Sequence, residues 1–158
     1  MVFYTDFKKE DLEKYHFLAE MEFPPKDYCA PDYLLERWDF LKSFLLLDEK
    51  KNWLGWCSLS FKPHEYNPTG AHFLESVIFN GFKGKGYSKY LYKIKFDNSI
   101  GMFKSGCIDP KNKVAKIVAE KYGFKHTGKS QHWDLYTCDK NHYPLQLKEI
   151  NDLEKLSG

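Results

Sequence analysis

Between an apolar run and a segment of helical spacing, the stretch "VIFNGFKGKGYSKYLYK", Val77 to Lys93, inserts three glycines and four lysines. This junction constrains the fold more than any other part of the chain. A strand that turns at once into a helix carries its backbone through conformations that glycine adopts freely. The amides of the first helical turn are then left facing outward, where an anion can meet them. Beyond the glycines, Tyr87, Tyr90, Leu91 and Ile94 recur at i, i+3, i+4 and i+7, which predicts an amphipathic helix with lysines on its wet side.

The rest of the chain supplies strands and helices in alternation. "VFYTDF" reads as a first strand and "KKEDLEKYHFLAEM" as a first helix, with Leu12, Tyr15, Leu18 and Ala19 on one face. The prolines of "EFPPKDYCAPDY" impose a loop, after which "DYLLERWDFLKS" resumes helical spacing. "FLLLDEKKNWLGWCSLSFK" predicts two strands joined by a polar turn, Asp48 to Asn52, and "AHFLESVIF" is the strand feeding the glycine turn. "MFKSGCI" and "HWDLYTCD" are further strands, and "DPKNKVAKIVAEKYGF" is a helix with apolar Val114, Ile117, Val118 and Tyr122, stopped by Gly123. "YPLQLKEINDLEKL", with leucine or isoleucine every third residue, suggests a C-terminal helix. The order β-α-α-β-β-β-α-β-α-β indicates one α/β domain with a mixed sheet over residues 1–158, residues 139–158 being an extension.

Composition narrows the function classes. Lysine plus arginine number 24 against 22 acidic residues, so a net charge of +2 creates no field suited to nucleic acid or a membrane surface. No RNP-like motif and no long apolar run occurs, and the expected setting is cytoplasmic. Cys29, Cys57, Cys107 and Cys138 are too scattered for a metal site and read as reduced, buried thiols.

Spacing separates the anion-binding patterns. A Walker A loop fails because Tyr87 stands where its lysine must be, and a dinucleotide fingerprint fails because Lys89 occupies the third glycine position. A third pattern, [Q/R]xxGx[G/A], fits "KGKGYS" approximately, with Lys83, Gly86 and Ser88 in its positions, although a glycine-rich turn with solvated lysines uses the same residues.

At these residues the chain resembles the GNAT superfamily of acyl-CoA-dependent N-acetyltransferases. "NKVAKIVAEKYGF" is similar to that family's second motif through Asn112, Ala115 and Gly123-Phe124, and the likeness covers about residues 2 to 138. The resemblance implies acetyl-CoA as cosubstrate, an amine acceptor, direct attack of the amine on the thioester, and no metal. It assigns Lys83, Gly84, Lys85, Gly86, Tyr87 and Ser88 to the CoA pyrophosphate, Val77, Ile78 and Phe79 to the pantetheine, and Asn112 to the cofactor side, with "GCID" across the gap. The tyrosine that many members carry four residues before Gly-Phe is replaced by Ala119, so Tyr122 is the expected acid, with Tyr136 and Tyr87 as rivals. Glu75 is the expected base ahead of His72, the two lying on opposite faces unless a bulge changes the parity. His126 and His132 are expected at the surface, and Cys107 has no placed catalytic partner. Acceptor choice is expected in "EMEFPPKDYCAPDYLLERW", whose Glu20, Glu22, Asp27 and Asp32 can attract an amine. A homodimer is compatible with the C-terminal leucine spacing. An acyl-CoA-binding module without catalysis is the alternative that Ala119 raises.

Overall fold

The computed structural model describes residues 1–19 and 31–157. The expected loop after the first helix, with Glu20, Glu22, Asp27 and Cys29, lies outside the described residues. In chain order the elements are β1 (Val2–Asp6), α1 (Leu12–Ala19), α2 (Pro31–Glu36), β2 (Leu41–Leu47), β3 (Trp53–Ser60), β4 (Ala71–Ile78), α3 (Ser88–Asp97), β5 (Lys104–Ile108), α4 (Lys113–Lys121), β6 (Lys125–Ser130), β7 (Trp133–Cys138), α5 (Leu145–Lys148) and β8 (Leu153–Lys155). The strands form one mixed sheet in the order β6-β7-β5-β4-β3-β2-β1-β8. Its parallel pairs are β4 with β5, which needs the crossover that α3 supplies, and β1 with β8.

The apolar continuity of β2 and β3 follows from burial on both faces. Leu45, Leu47 and Trp56 pack with Tyr15 of α1 and Leu34 of α2, whereas Phe44, Leu46 and Leu54 pack with Tyr90, Leu91 and Ile94 of α3. Helices α1 and α2 therefore cover one face and α3 the other. Trp56 is fully buried, its ring 5.1 Å from Tyr15 and 6.2 Å from Phe7. Truncating it to alanine would cost about 3–5 kcal/mol. A third cluster joins α3 to α4 through Phe73, Phe96, Ala119, Tyr122 and Phe124.

Three elements differ from expectation. The C-terminal helix is confined to α5, and the chain continues as β8 because the edge of β1 offers an unpaired ladder: Val2 N donates to Asp152 O (2.9 Å) and Leu156 N to Tyr4 O (2.8 Å). The second predicted helix stops at Glu36, a 3-10 turn covers Trp38–Phe40, and the expected helical residues Leu41, Lys42 and Ser43 open β2. Strand β6, "KHTGKS", has no sequence signal because it is a largely exposed edge strand with no apolar side chain to alternate. Of the thiols, Cys57 and Cys138 are buried and free, while Cys107 is half-buried.

Candidate active site

A fork between β4 and β5 defines the site. The strands pair only from Ala71 to Phe73 against Lys104 to Gly106, and past that point they separate. The opening is a cleft of about 1030 Å³, bordered by Leu74, Glu75 and Ser76 on one side and by Gly106, Cys107 and Ile108 on the other. Helix α3 contributes Ser88, Tyr92 and Lys95, and α4 contributes Ala115, Val118 and Ala119. Lys116 of α4 is tied to Asp134 of β7 at 2.7 Å, which fixes that wall to the sheet.

A bulge in β4 resolves the parity of His72 and Glu75. Cys57 pairs with Ser76 but Leu59 with Phe73, so Leu74 and Glu75 together face the single residue Ser58. The extra residue brings His72 and Glu75 to the same cleft, His72 buried and Glu75 exposed. The bulge also leaves the Ser76 hydroxyl buried and without a hydrogen-bond partner among the described residues.

The expected pantetheine strand is only partly available. The Val77 and Phe79 side chains belong to the core, and Phe79 N donates to Leu54 O at 3.0 Å, toward β3. By the alternation of an antiparallel ladder, the peptide groups of Ser76 and Ile78 then face the open edge. These two residues, rather than Val77 or Phe79, can offer main-chain hydrogen bonds across the fork.

The glycine turn follows directly. Gly84 and Gly86 have φ of +77° and +81°, which an L-residue adopts only at a cost, and no atom lies within 4 Å of a Cβ built on either. Lys83, Gly84, Lys85 and Gly86 are exposed, Tyr87 is half-buried, and Ser88 alone of the predicted loop borders the cleft. Tyr87 makes no side-chain cap to α3 and the first turn holds no acidic residue, so the helix N-terminus presents amides without internal competition for an anion. Asn112 also borders the cleft, but its Oδ1 accepts from Ala115 N at 3.0 Å and caps α4.

Deeper in, His72 Nδ1 lies 2.9 Å from Ser105 Oγ, which also accepts from Asn67 Nδ2 at 2.9 Å. Burial, with the charges of His64 and Lys95, lowers the His72 pKa to about 4, so the ring is neutral near pH 7. His64 stacks on Tyr66 with ring centres 5.0 Å apart, and both border the cleft with Tyr33 of α2 and Arg37 just beyond it. Burial raises the pKa of Tyr66, whose hydroxyl lies 3.9 Å from Cys107 Sγ.

Tyr122, the expected acid, is not among the cleft-lining residues. It is 5 % exposed and packs on Tyr92 with ring centres 4.4 Å apart, closing the joint between α3 and α4. Its rivals divide: Tyr136 borders the cleft and Tyr87 does not. Val114 and Ile117, apolar positions of the predicted helix, are exposed. Apolar spacing alone puts the lysines of α3 in water and gives no sign of Lys95 as a site residue. Lys95 is 3 % exposed, and Ser88, Tyr92 and Lys95 fall within about 60° of one another on the helix, a spacing that could have marked them.

No protein-family model and no curated protein matches the chain. The fold does match solved structures. A spermidine N-acetyltransferase SpeG chimera from Vibrio cholerae and hSSAT superposes with a TM-score of 0.63 at 21% identity, covering 95% of this chain and 98% of that one. The Vibrio cholerae spermidine N-acetyltransferase in complex with CoA and spermine gives 0.62 at 18% identity, over 86% and 92% of the two chains. A dodecameric form of that enzyme gives 0.63 at 18% identity, over 95% and 96%. These superpositions show that the chain has a GNAT-like α/β fold, the fold of these spermidine N-acetyltransferases, built here on one mixed eight-stranded sheet.

Proposed function

We propose that the protein is an N-acetyltransferase that moves the acetyl group of acetyl-CoA to a primary amine by direct attack in a ternary complex. The fork carries this reading: a cleft whose one wall is an unpaired strand edge suits an extended amide chain, which binds by adding main-chain hydrogen bonds. The pantetheine lies against Ser76 and Ile78, and the diphosphate meets the turn from Lys83 to Ser88 and the amides opening α3. Asn112 holds the start of α4 at the same mouth.

The amine enters on the side of His64, Tyr66 and Glu75. Glu75, exposed at the bulge, takes the ammonium proton directly or through water, and His72 orients the acceptor as a neutral ring. The amine nitrogen then attacks the carbonyl carbon, the C–N bond forms, the nitrogen gives its second proton to water, and the C–S bond breaks with its electron pair passing to sulfur. No tyrosine need protonate that sulfur, since a thiol is a far stronger acid than an alcohol.

The test is CoA release from acetyl-CoA across an amine panel that includes polyamines, the acceptor class of the structurally similar enzymes. Turnover with at least one amine is expected. A background rate throughout, with CoA still raising the melting temperature, would instead leave the acyl-CoA-binding module that Ala119 suggests.

A further inference from the structure

We propose that the ammonium of Lys95 receives the sulfur of CoA as it leaves, taking the place of the hydroxyl that Ala119 removes from α4. The inference rests on the acyltransferase reading. Lys95 borders the cleft yet is almost wholly buried, and its Nζ donates to Leu74 O at 3.3 Å, the carbonyl at the start of the bulge. The ammonium lies 4.9 Å from the ring centre of Phe73 and 4.7 Å from that of Tyr92, between β4 and α3. A cation held at the bulge stands where the fork begins, so a thioester aligned along Ser76 and Ile78 reaches it with its acyl end. Ala119 of α4 borders the same space and contributes only a methyl group, which gives sulfur room to approach.

In the reaction the sulfur takes the C–S electron pair and leaves as a thiolate. Paired with the ammonium, it stays a thiolate until it dissociates or gains a proton from solvent, while of the two protons that nitrogen loses the first goes to Glu75 and the second to water. A fixed cation in a water-poor site stabilises charge as it develops, without reorganisation at the moment of reaction.

Among the described residues, Cys57 on β3 and His72 on β4 feel the charge of Lys95, Tyr92 packs on it from its own helix, and Glu75 borders the same cleft beside Leu74. Burial holds Cys57 and Tyr92 up at about 12 and His72 down at about 4, so none changes charge between pH 6 and 9. In that window the sulfur of CoA, a thiol of ordinary pKa about 8.5, does change charge.

The experiment compares the melting-temperature increase given by CoA with that given by desulfo-CoA, at about pH 6.5 and about pH 8.5. In the wild-type protein CoA is expected to exceed desulfo-CoA, with the gap widening at the higher pH. Lys95→Met should abolish the gap while retaining the desulfo-CoA shift, and Lys95→Arg should preserve it. With an acceptor in hand, Lys95→Met should lower kcat about 100-fold with little change in KM for acetyl-CoA, and Lys95→Arg should restore part of it. A gap absent in wild type, or unchanged in Lys95→Met, overturns the proposal and leaves the CoA site standing. If neither ligand stabilises the wild-type protein, the CoA reading falls and this one with it. Should Lys95→Met not fold, the wild-type gap and its pH trend decide the matter.

Discussion

The β4–β5 fork opens along β4 and the glycine-lysine turn follows at its end, and the two are built in opposite ways. The turn is local: its shape is set by positive φ at Gly84 and Gly86, and its lysines stand in water. The fork is long-range, since β4 is held by β3 on one side, released by β5 on the other, and displaced by a bulge opposite Ser58. Such a turn can therefore be written in a few consecutive residues. The cleft needs groups from β4, β5, α3 and α4, each positioned by packing.

If that division is right, damage to the fork should cost chemistry and damage to the turn should cost affinity. The largest effect is expected from Glu75→Gln. A lost general base lowers kcat by about 10²–10⁴-fold, while the CoA-induced rise in melting temperature should stay as in wild type. An equal loss of CoA binding would erase the distinction between the regions.

His72 gives the next largest effect, read as stability. Because burial depresses its pKa to about 4, the unfolded chain gains a proton below pH 6.5 that the folded chain refuses. Stability is complete above pH 6.5 and is lost as pH falls toward 4. Between pH 7 and 5 this single group should remove about 2 kcal/mol. Urea denaturation at both pH values should show the loss in wild type, and His72→Gln should flatten that part of the profile.

In the turn, Gly86→Ala should weaken CoA binding about tenfold. Its positive φ adds about 1–2 kcal/mol of strain, with no crowding because nothing lies near the new Cβ. Titration calorimetry with CoA, set beside a thermal melt, separates the two effects; turnover at saturating acetyl-CoA should change little. A smaller effect is expected far from both regions. Tyr90→Phe removes the hydroxyl that donates to Asp152 at 2.5 Å, the tie between α3 and the approach to β8. About 1–2 kcal/mol of stability should be lost, measured by urea denaturation, with CoA affinity intact.

The strand-turn-helix unit from Val77 to Ile94 is legible in the sequence because every signal there is local: apolar run, glycines, helical period. The same holds for the Asp48 to Asn52 turn, where the Asp48 carboxylate accepts from the Lys50 and Asn52 amides. The C-terminal leucine spacing misled, because the pairing of β8 with β1 depends on an edge some 150 residues away in the chain. Likewise "KHTGKS" carries no pattern of its own and becomes a strand only because β7 is beside it.

Chain order, glycine placement and periodicity thus determined the α/β class and the position of the glycine-lysine turn, since backbone freedom and amphipathic spacing belong to short segments. Only the tertiary structure decided what faces the cleft. A single extra residue in β4 brought His72 and Glu75 to one side, close packing of α3 on α4 withdrew Tyr122 behind Tyr92, and burial at the fork turned Lys95 from a surface lysine into a cation inside the site. Parity, burial and the approach of distant strands are properties of packing, and no stretch of neighbouring residues encodes them.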